Sequence, residues 1–387
     1  MPRALTWTAY LFMSCQGYLL YAVGFMTPYL QSDLGVPSSV AALPNSMMAL
    51  GILSGGLFAR RVADLLGPRH AARLWAGLMA VSCVLMATAI AVLPILLGAS
   101  LLGVAIAGML VHVVSALGGR GGGKLLARGY LWAMVAAVAA PLVLSASSRS
   151  LGWTVGLLVP VPFLVLLVFT LPASPARDLG AAAGSREPGL PRAYWLTWAF
   201  LVLCMGAEFS IVAWGAQVAT SRSGIGAADA TGLASLYVLG MIVGRLALST
   251  GVGSGQGKDA LLRAGASLAL IGSVVLWMAT APLIAGAGFL LAGLGMAGVL
   301  PLGSTLALAH APSAQVRASA RLTAAMGVAV LTAPLVLGFV AGVVGVVGAW
   351  VLVFALLGAG LIVLSQIPQP AQSEVDPSKP PMGVTSN

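Results

Sequence analysis

Acidic side chains are nearly missing from this chain. Its 387 residues include nine Asp and Glu, and charged residues of both signs make up 7%. So little charge leaves no solvated surface for a water-soluble globule of this size. Cysteine is scarce as well. Cys15, Cys83 and Cys204 lie scattered inside apolar stretches, which excludes a disulfide framework, a zinc site and a paired-thiol redox motif. No group of His, Cys and carboxylates has metal-ligand spacing, so neither metal nor cofactor is expected. The first apolar stretch is too long for a cleavable signal peptide, and no small-residue cleavage site follows it. No loop is long enough for a soluble catalytic domain and no nucleophile–base pair stands out, so an enzyme is not expected.

What the chain has in excess is apolar length. Hydrophobic residues make up 59% and glycine occurs 49 times. Twelve apolar stretches can be drawn, over 5–29, 38–60, 72–93, 95–117, 127–146, 151–171, 193–219, 230–248, 261–281, 283–309, 321–342 and 347–367. Each is near the roughly 20 residues that a helix needs to cross a bilayer. The net charge of +10 invites a nucleic-acid reading, but the distribution of charge rejects it. If the N-terminus is inside, 17 of the 19 basic residues fall in cytoplasmic segments, and only Arg149 and Arg222 fall outside. This positive-inside bias predicts cytoplasmic termini and an even helix count; with the first helix as its own insertion signal, a bacterial plasma membrane is the expected address. A Pro- and Arg-containing segment, 172–192, reads as a cytoplasmic linker, and 368–387 reads as a disordered tail.

The chain also repeats itself. Leu97 to Leu110 recurs as Ala287 to Leu300 at an offset of 190 residues, with Gly98, Gly103 and Gly108 on Gly288, Gly293 and Gly298. Gly51 and Gly55 meet Gly240 and Gly244, and Pro141 meets Pro334. The expected fold is therefore an all-α membrane protein with twelve transmembrane helices in two pseudo-symmetric six-helix bundles, 1–171 and 193–367. Repeated halves with a substrate site between them are a common transporter plan. Gly51-x-x-x-Gly55 and Gly240-x-x-x-Gly244 allow close backbone approach, which serves either static packing or rocking of one bundle against the other. Pro141 and Pro334 should kink matching helices.

Short motifs point the same way. The loop Arg60-Arg-Val-Ala-Asp64-Leu-Leu-Gly67-Pro-Arg69 keeps the Asp, the Gly and the final Arg of a G-x-x-x-D-[RK]-x-G-[RK]-[RK] pattern. Gly240-Met-Ile-Val-Gly244-Arg245 is similar to a G-x-x-x-G-R pattern in helix eight. With the six-plus-six repeat, these make the chain resemble the major facilitator superfamily over about Ala4 to Leu364. The resemblance implies that Asp64, with Gly67 and Arg69, gates the cytoplasmic helix ends, and that Gly240, Gly244, Arg245, Pro141 and Pro334 serve the conformational cycle. Ala136-Ala-Val-Ala-Ala140-Pro141 has the proline of the drug-antiporter G-x-x-x-G-P motif without its glycines, so antiport does not follow.

One acid lies within a span. Eight of the nine fall in loops or the tail, while Glu208 sits near the middle of the seventh stretch. A carboxyl there is costly unless it faces the bundle interior and is neutral or partnered, which suits proton uptake and release. The alternative is a neutral acid that hydrogen-bonds a neighbouring helix as packing glue. Tyr10, Ser14, Gly17, Tyr18 and Tyr21 share about 80° of one face of the first helix, a natural opposite wall. Ser14, Tyr18 and Tyr21 are therefore candidate substrate contacts, joined by Gln16, Asn45, Trp214 and Tyr237. His112 could relay protons or be an ordinary packing histidine. Trp7, Trp153, Trp195, Trp277 and Trp350 fall near span ends and read as interface anchors. No Lys or Arg lies near the middle of a span, which predicts neutral, apolar or cationic solutes.

These readings predict a proton-coupled secondary transporter working by alternating access, with export of amphipathic or cationic compounds slightly favoured over import of a neutral solute such as a sugar. A non-transporting scaffold or sensor with the same fold is the reading of another class. The expected partners are a small-molecule substrate, protons and the lipid bilayer, with no nucleic acid, and the expected state is a monomer.

Overall fold

The computed structural model describes residues 3–117, 122–171, 189–250, 257–312 and 314–368. Among these residues the chain is helical between short turns, and no strand occurs. The first half contains α1 (Arg3–Phe25), α2 (Thr27–Leu34), α3 (Ser38–Ala41), α4 (Leu43–Leu66), α5 (Pro68–Ala87), α6 (Val92–Leu117), α7 (Gly122–Ser148), α8 (Thr154–Leu158) and α9 (Val161–Thr170). The second half contains α10 (Arg192–Ser223), α11 (Ala227–Leu233), α12 (Ser235–Ser249), α13 (Lys258–Trp277), α14 (Pro282–Met296), α15 (Val299–Ala309), α16 (Gln315–Ala349) and α17 (Val351–Ser365). Of the linker expected at 172–192, residues 172–188 lie outside the described residues, as does the expected tail from 369 onward.

Each of the twelve expected stretches falls on helix, but several are broken. Among the described residues nine helices are long and apolar enough to cross a membrane, or ten if the bent pair α1–α2 counts as one span. Proline explains most of the breaks, because it lacks an N–H and clashes with the preceding turn. Pro28 follows the 48° bend between α1 and α2, and Pro44 lies in the first turn of α4. Pro160 caps α9, and Pro162 lies in its first turn. Pro141 and Pro334 are carried inside α7 and α16. Between the eleventh and twelfth expected stretches a single glycine, Gly345, interrupts α16 with a φ of 75°.

The repeat reappears as matched packing. In the first half α1 packs on α7 and α4 on α6; in the second, α10 packs on α16 and α12 on α14. Glycine permits each approach. Gly51 of α4 lies against the carbonyl of Ser100 on α6, and Gly240 of α12 against the carbonyl of Leu290 on α14, leaving no room for a Cβ. Contact of this kind drives helix association in lipid, where apolar burial alone gives no preference between a helix and an acyl chain.

The halves meet along α4 and α16, along α7 with α11 and α12, and where α1 crosses α10. The turns at Gly35, Gly152 and Gly224 mark one end of the molecule, the distal end. The opposite end, bearing Leu171 and Pro191, is the linker end. Three tryptophans depart from the anchor role. Trp153 and Trp350 are buried, and their indole nitrogens donate to Asp33 Oδ2 (2.6 Å) and the Ser273 carbonyl (3.1 Å). Trp277 donates to the Val347 carbonyl at 3.0 Å, and the Arg222 guanidinium stands over its ring. Their indole N–H groups are satisfied inside the bundle, so these rings join helices instead of marking a bilayer boundary. Trp7 and Trp195 do face outward.

Candidate functional site

α10 is the most enclosed of the nine long apolar helices, and Cys204 to Ala216 are buried on every face. A helix that is apolar on all sides belongs in the middle of a bundle. Glu208 sits within this buried run and is 4% exposed, so its carboxyl points into protein on whichever face it leaves the helix.

Tyr21 on α1 comes from the other half to meet it. Its hydroxyl donates to Glu208 Oε1 at 3.3 Å and lies 3.5 Å from Sδ of Met241 on α12. An O–H···O contact of that length is loose, since such bonds usually measure about 2.7–2.8 Å. On α12, Tyr237, Met241 and Arg245 follow at intervals of four residues and so form one stripe. Tyr237 lies one turn before Met241 on this stripe, and Arg245 adds a positive charge one turn beyond it. The centre therefore combines a carboxyl, two phenols, a thioether and a guanidinium drawn from α1, α10 and α12. Arg245 read as a residue of the helix end in the sequence. In the fold its long side chain also brings a positive charge to bear on the acid, while Nε donates to the Ala297 carbonyl at 3.3 Å.

Unpartnered polar atoms collect near this level. Tyr237 is fully buried and its hydroxyl has no hydrogen-bond partner among the described residues; the same holds for Asn45 Nδ2 and Ser210 Oγ. Asn45 packs where Gly24 of α1 meets Val212 of α10, one turn distal to Glu208. Buried polar atoms are nearly always satisfied by protein or water, so such a group marks a place where something hydrogen-bonds. On the linker side of Glu208 is a cavity of about 230 Å³, lined by Leu201, Met205, Leu300, Ser304, Leu322, Ala325 and Met326. Leu201 and Met205 precede Glu208 by seven and three residues and share its helix face.

The remaining candidates are placed elsewhere. Tyr18 donates to the Gly156 carbonyl of α8 at 2.8 Å, inside the first half. Ser14 bonds the Tyr10 carbonyl one turn back in its own helix, and Gly17 packs on the backbone of Ala133 in α7. Gln16 is partly buried, about 140° around α1 from Tyr21. Trp214 is fully buried and donates to the Pro334 carbonyl at 3.0 Å, tying α10 to the proline of α16. His112 lies partly buried in the last third of α6 and is not among the groups acting on Glu208. His310, just past the end of α15, is held below the usual histidine range by burial.

At the linker end, Asp64 is exposed, and no ion pair holds it among the described residues. Gly67 takes a positive φ of 79° between α4 and α5. Arg69 Nε donates to the Leu171 carbonyl at 3.2 Å, and Arg73 approaches the Phe169 carbonyl at 3.5 Å. Both guanidinium groups thus meet the open carbonyls at the end of α9, where the helix dipole favours cations.

Pattern reading missed the contacts that close the distal end. Arg149, after α7, pairs with Asp229 of α11. Gln217 of α10 donates to Gln31 Oε1 of α2, and Ser46 of α4 donates to the Leu331 carbonyl at 2.8 Å. Each joins the two halves. Their residue types are common in loops and helix ends, so no local signal distinguishes them.

Comparisons with known proteins agree with this architecture. The family model described as Major Facilitator Superfamily matches residues 6–312. No curated protein matches the chain. Among solved structures, the nucleoside transporter NupG aligns with a TM-score of 0.76 at 14% identity, covering 94% of this chain and 98% of its own. A bacterial homologue of the human lysosomal transporter Spinster, inward-facing and unoccupied, aligns with a TM-score of 0.76 at 12% identity, covering 94% and 96%. A D-xylose–proton symporter aligns with a TM-score of 0.72 at 15% identity, covering 95% and 98%.

Proposed function

The chain belongs to the major facilitator superfamily, and on that premise we propose that it is a proton-coupled secondary transporter with Glu208 as its proton site. The observation that carries this is the buried Glu208 carboxyl bonded across the halves to Tyr21. Glu208 gains or loses a proton, and with it the strength of its hold on Tyr21 and on Arg245. The ionised form accepts the phenol and attracts the guanidinium. The neutral form still accepts from the phenol but holds it and the guanidinium more weakly, so the α1–α10 contact at the centre loosens. Proton occupancy is thereby linked to the relative position of the two bundles, 1–171 and 193–367, joined by the linker 172–192.

Both termini and the linker end lie in the cytoplasm of a bacterial cell in this reading, and the protein is a monomer in the plasma membrane. The state described here is then closed toward the outside by the distal contacts. Asp64, Gly67 and Arg69 serve the linker-end gate when the bundles rock back. Export of an amphipathic or cationic compound is supported by the apolar, Met-containing cavity beside Glu208. A second reading, movement of a neutral hydrogen-bonding solute, is supported by the unpartnered Tyr237 and Asn45 and by Arg245, which offsets the acid's charge.

The test is transport of a compound panel in proteoliposomes under an imposed pH gradient, comparing native protein with Glu208→Gln. Loss of gradient-driven accumulation with retained substrate exchange is the expected result. Gradient coupling unchanged in the variant would remove Glu208 from the mechanism. Whether accumulation runs with or against the proton flux separates import from export.

A further inference from the structure

We propose that an anionic phospholipid of the surrounding bilayer binds at the linker end of the second half, with one acyl chain in the groove between α12 and α13 and its phosphate at the start of α13. Both helices pack along α14 but scarcely touch each other. The gap between them is a cavity of about 250 Å³, floored by α14 and α15 and lined only by Gly, Ala, Val and Leu. Glycine gives the groove its depth. Gly244 lies against Leu294 and Ala297, and Gly265 lies against the Gly295 carbonyl, so these positions bring no side chain into the gap.

The lining is open to whatever surrounds the bundle. Ala264 on the rim is exposed, and Ala247, Leu248, Leu261 and Leu268 are half-buried. Around membrane-spanning helices that neighbour is hydrocarbon. A groove with no polar side chain in its wall holds an acyl chain and leaves a headgroup outside.

Charge at the mouth selects the headgroup. Lys258, Leu261, Leu262 and Gly265 fall at i, i+3, i+4 and i+7, so Lys258 stands on the face of α13 that bears the groove, at its linker end. Lys258 is exposed and joins no ion pair among the described residues. The neighbouring acid, Asp259, is engaged by Arg263 at 2.7 Å. That pair stands about 100° and 140° round α13 from Lys258, away from the groove. No side chain caps the start of α13, so its first-turn N–H groups are open at the level of Lys258. A phosphate there meets a lysine and a helix N-terminus. A choline or ethanolamine headgroup would bring its own cation against Lys258, whereas a net negative headgroup does not. The groove shares no residue with the central group around Glu208.

The test is photolabelling of the full-length protein in phosphatidylcholine nanodiscs, using a phosphatidylglycerol with a diazirine in its acyl chain and mapping the labelled residues by mass spectrometry. The expected result is saturable labelling of groove residues on α12 and α13, reduced severalfold by unlabelled phosphatidylglycerol and far less by phosphatidylethanolamine. Lys258→Gln should weaken the apparent affinity severalfold. Ala264→Phe, which fills the groove from its exposed rim, should abolish groove labelling, with Ala247→Phe as the second variant should the first not fold. Glu208→Gln should leave labelling unchanged even where gradient-driven transport is lost, so this proposal and the proton role fail separately. Labelling spread without saturation, equal competition by phosphatidylethanolamine, or labelling unmoved by Lys258→Gln overturns the proposal and leaves the groove to ordinary bilayer lipid. Labelling lost in Glu208→Gln also overturns it, since the lipid would then report on the central group.

Discussion

Tyr21 and Glu208 stand 187 positions apart in the chain and 3.3 Å apart in space, and their bond crosses the boundary between two halves that are otherwise packed internally by glycine. A phenol and a carboxyl are placed where either half can move away from the other only by breaking that bond.

Tyr21→Phe keeps the ring and deletes the donor. A hydrogen bond of ordinary strength contributes about 0.5–1.5 kcal/mol, so gradient-driven transport is expected to fall severalfold. In a double-mutant cycle with Glu208→Leu the two losses should not add, because each variant removes one partner of the same contact. Full additivity would mean that the residues act separately.

The Arg149–Asp229 pair is exposed, and such pairs are worth about 0–1 kcal/mol. Asp229→Asn should therefore leave thermal stability in detergent nearly unchanged. Its effect is expected in the balance of states, as faster maleimide labelling of a cysteine placed at Ala227. Exchanging the charges, Arg149→Asp with Asp229→Arg, should restore the native rate; failure to do so would show that the pair does not hold the distal end.

Gly293→Ala puts a Cβ into the carbonyl of Tyr237, whereas a Cβ at Gly342 meets nothing. Overpacking against backbone costs roughly 1–3 kcal/mol or more. Gly293→Ala should lower the melting midpoint of the purified protein by several degrees and weaken transport through Tyr237. Gly342→Ala should do neither.

Trp214→Phe removes the indole donor to the Pro334 carbonyl but keeps an aromatic ring. The expected cost is about 1 kcal/mol of stability, with the transport KM unchanged. A large rise in KM at native stability would return Trp214 to the substrate site.

Much of the architecture was legible in order of residues alone, because lipid imposes strong rules on a chain. Apolar length, basic loops and the 190-residue repeat each follow from the cost of leaving charge or an open backbone group in hydrocarbon. Glu208 stood out for the same reason, as an acid in a stretch that should contain none. Pairing was not legible. Tyr18 and Tyr21 share one face of α1, yet one bonds α8 within its own half and the other crosses to Glu208. A helix face spans a wide arc, and the bend and tilt of the neighbouring helices decide which of them each side chain reaches.

The sequence by itself determined that this chain lives in a membrane, that it is built twice, and that one buried carboxyl would need a partner. Those are properties of composition and period, which survive any rearrangement of the helices. Only the tertiary structure decided that the partner is Tyr21, that Arg245 acts on the acid from a helix end, and that Gln31, Gln217, Arg149 and Asp229 close the distal end. Contacts between distant positions depend on helix tilt and register, and ordinary polar residues carry no mark of them until the halves are brought together.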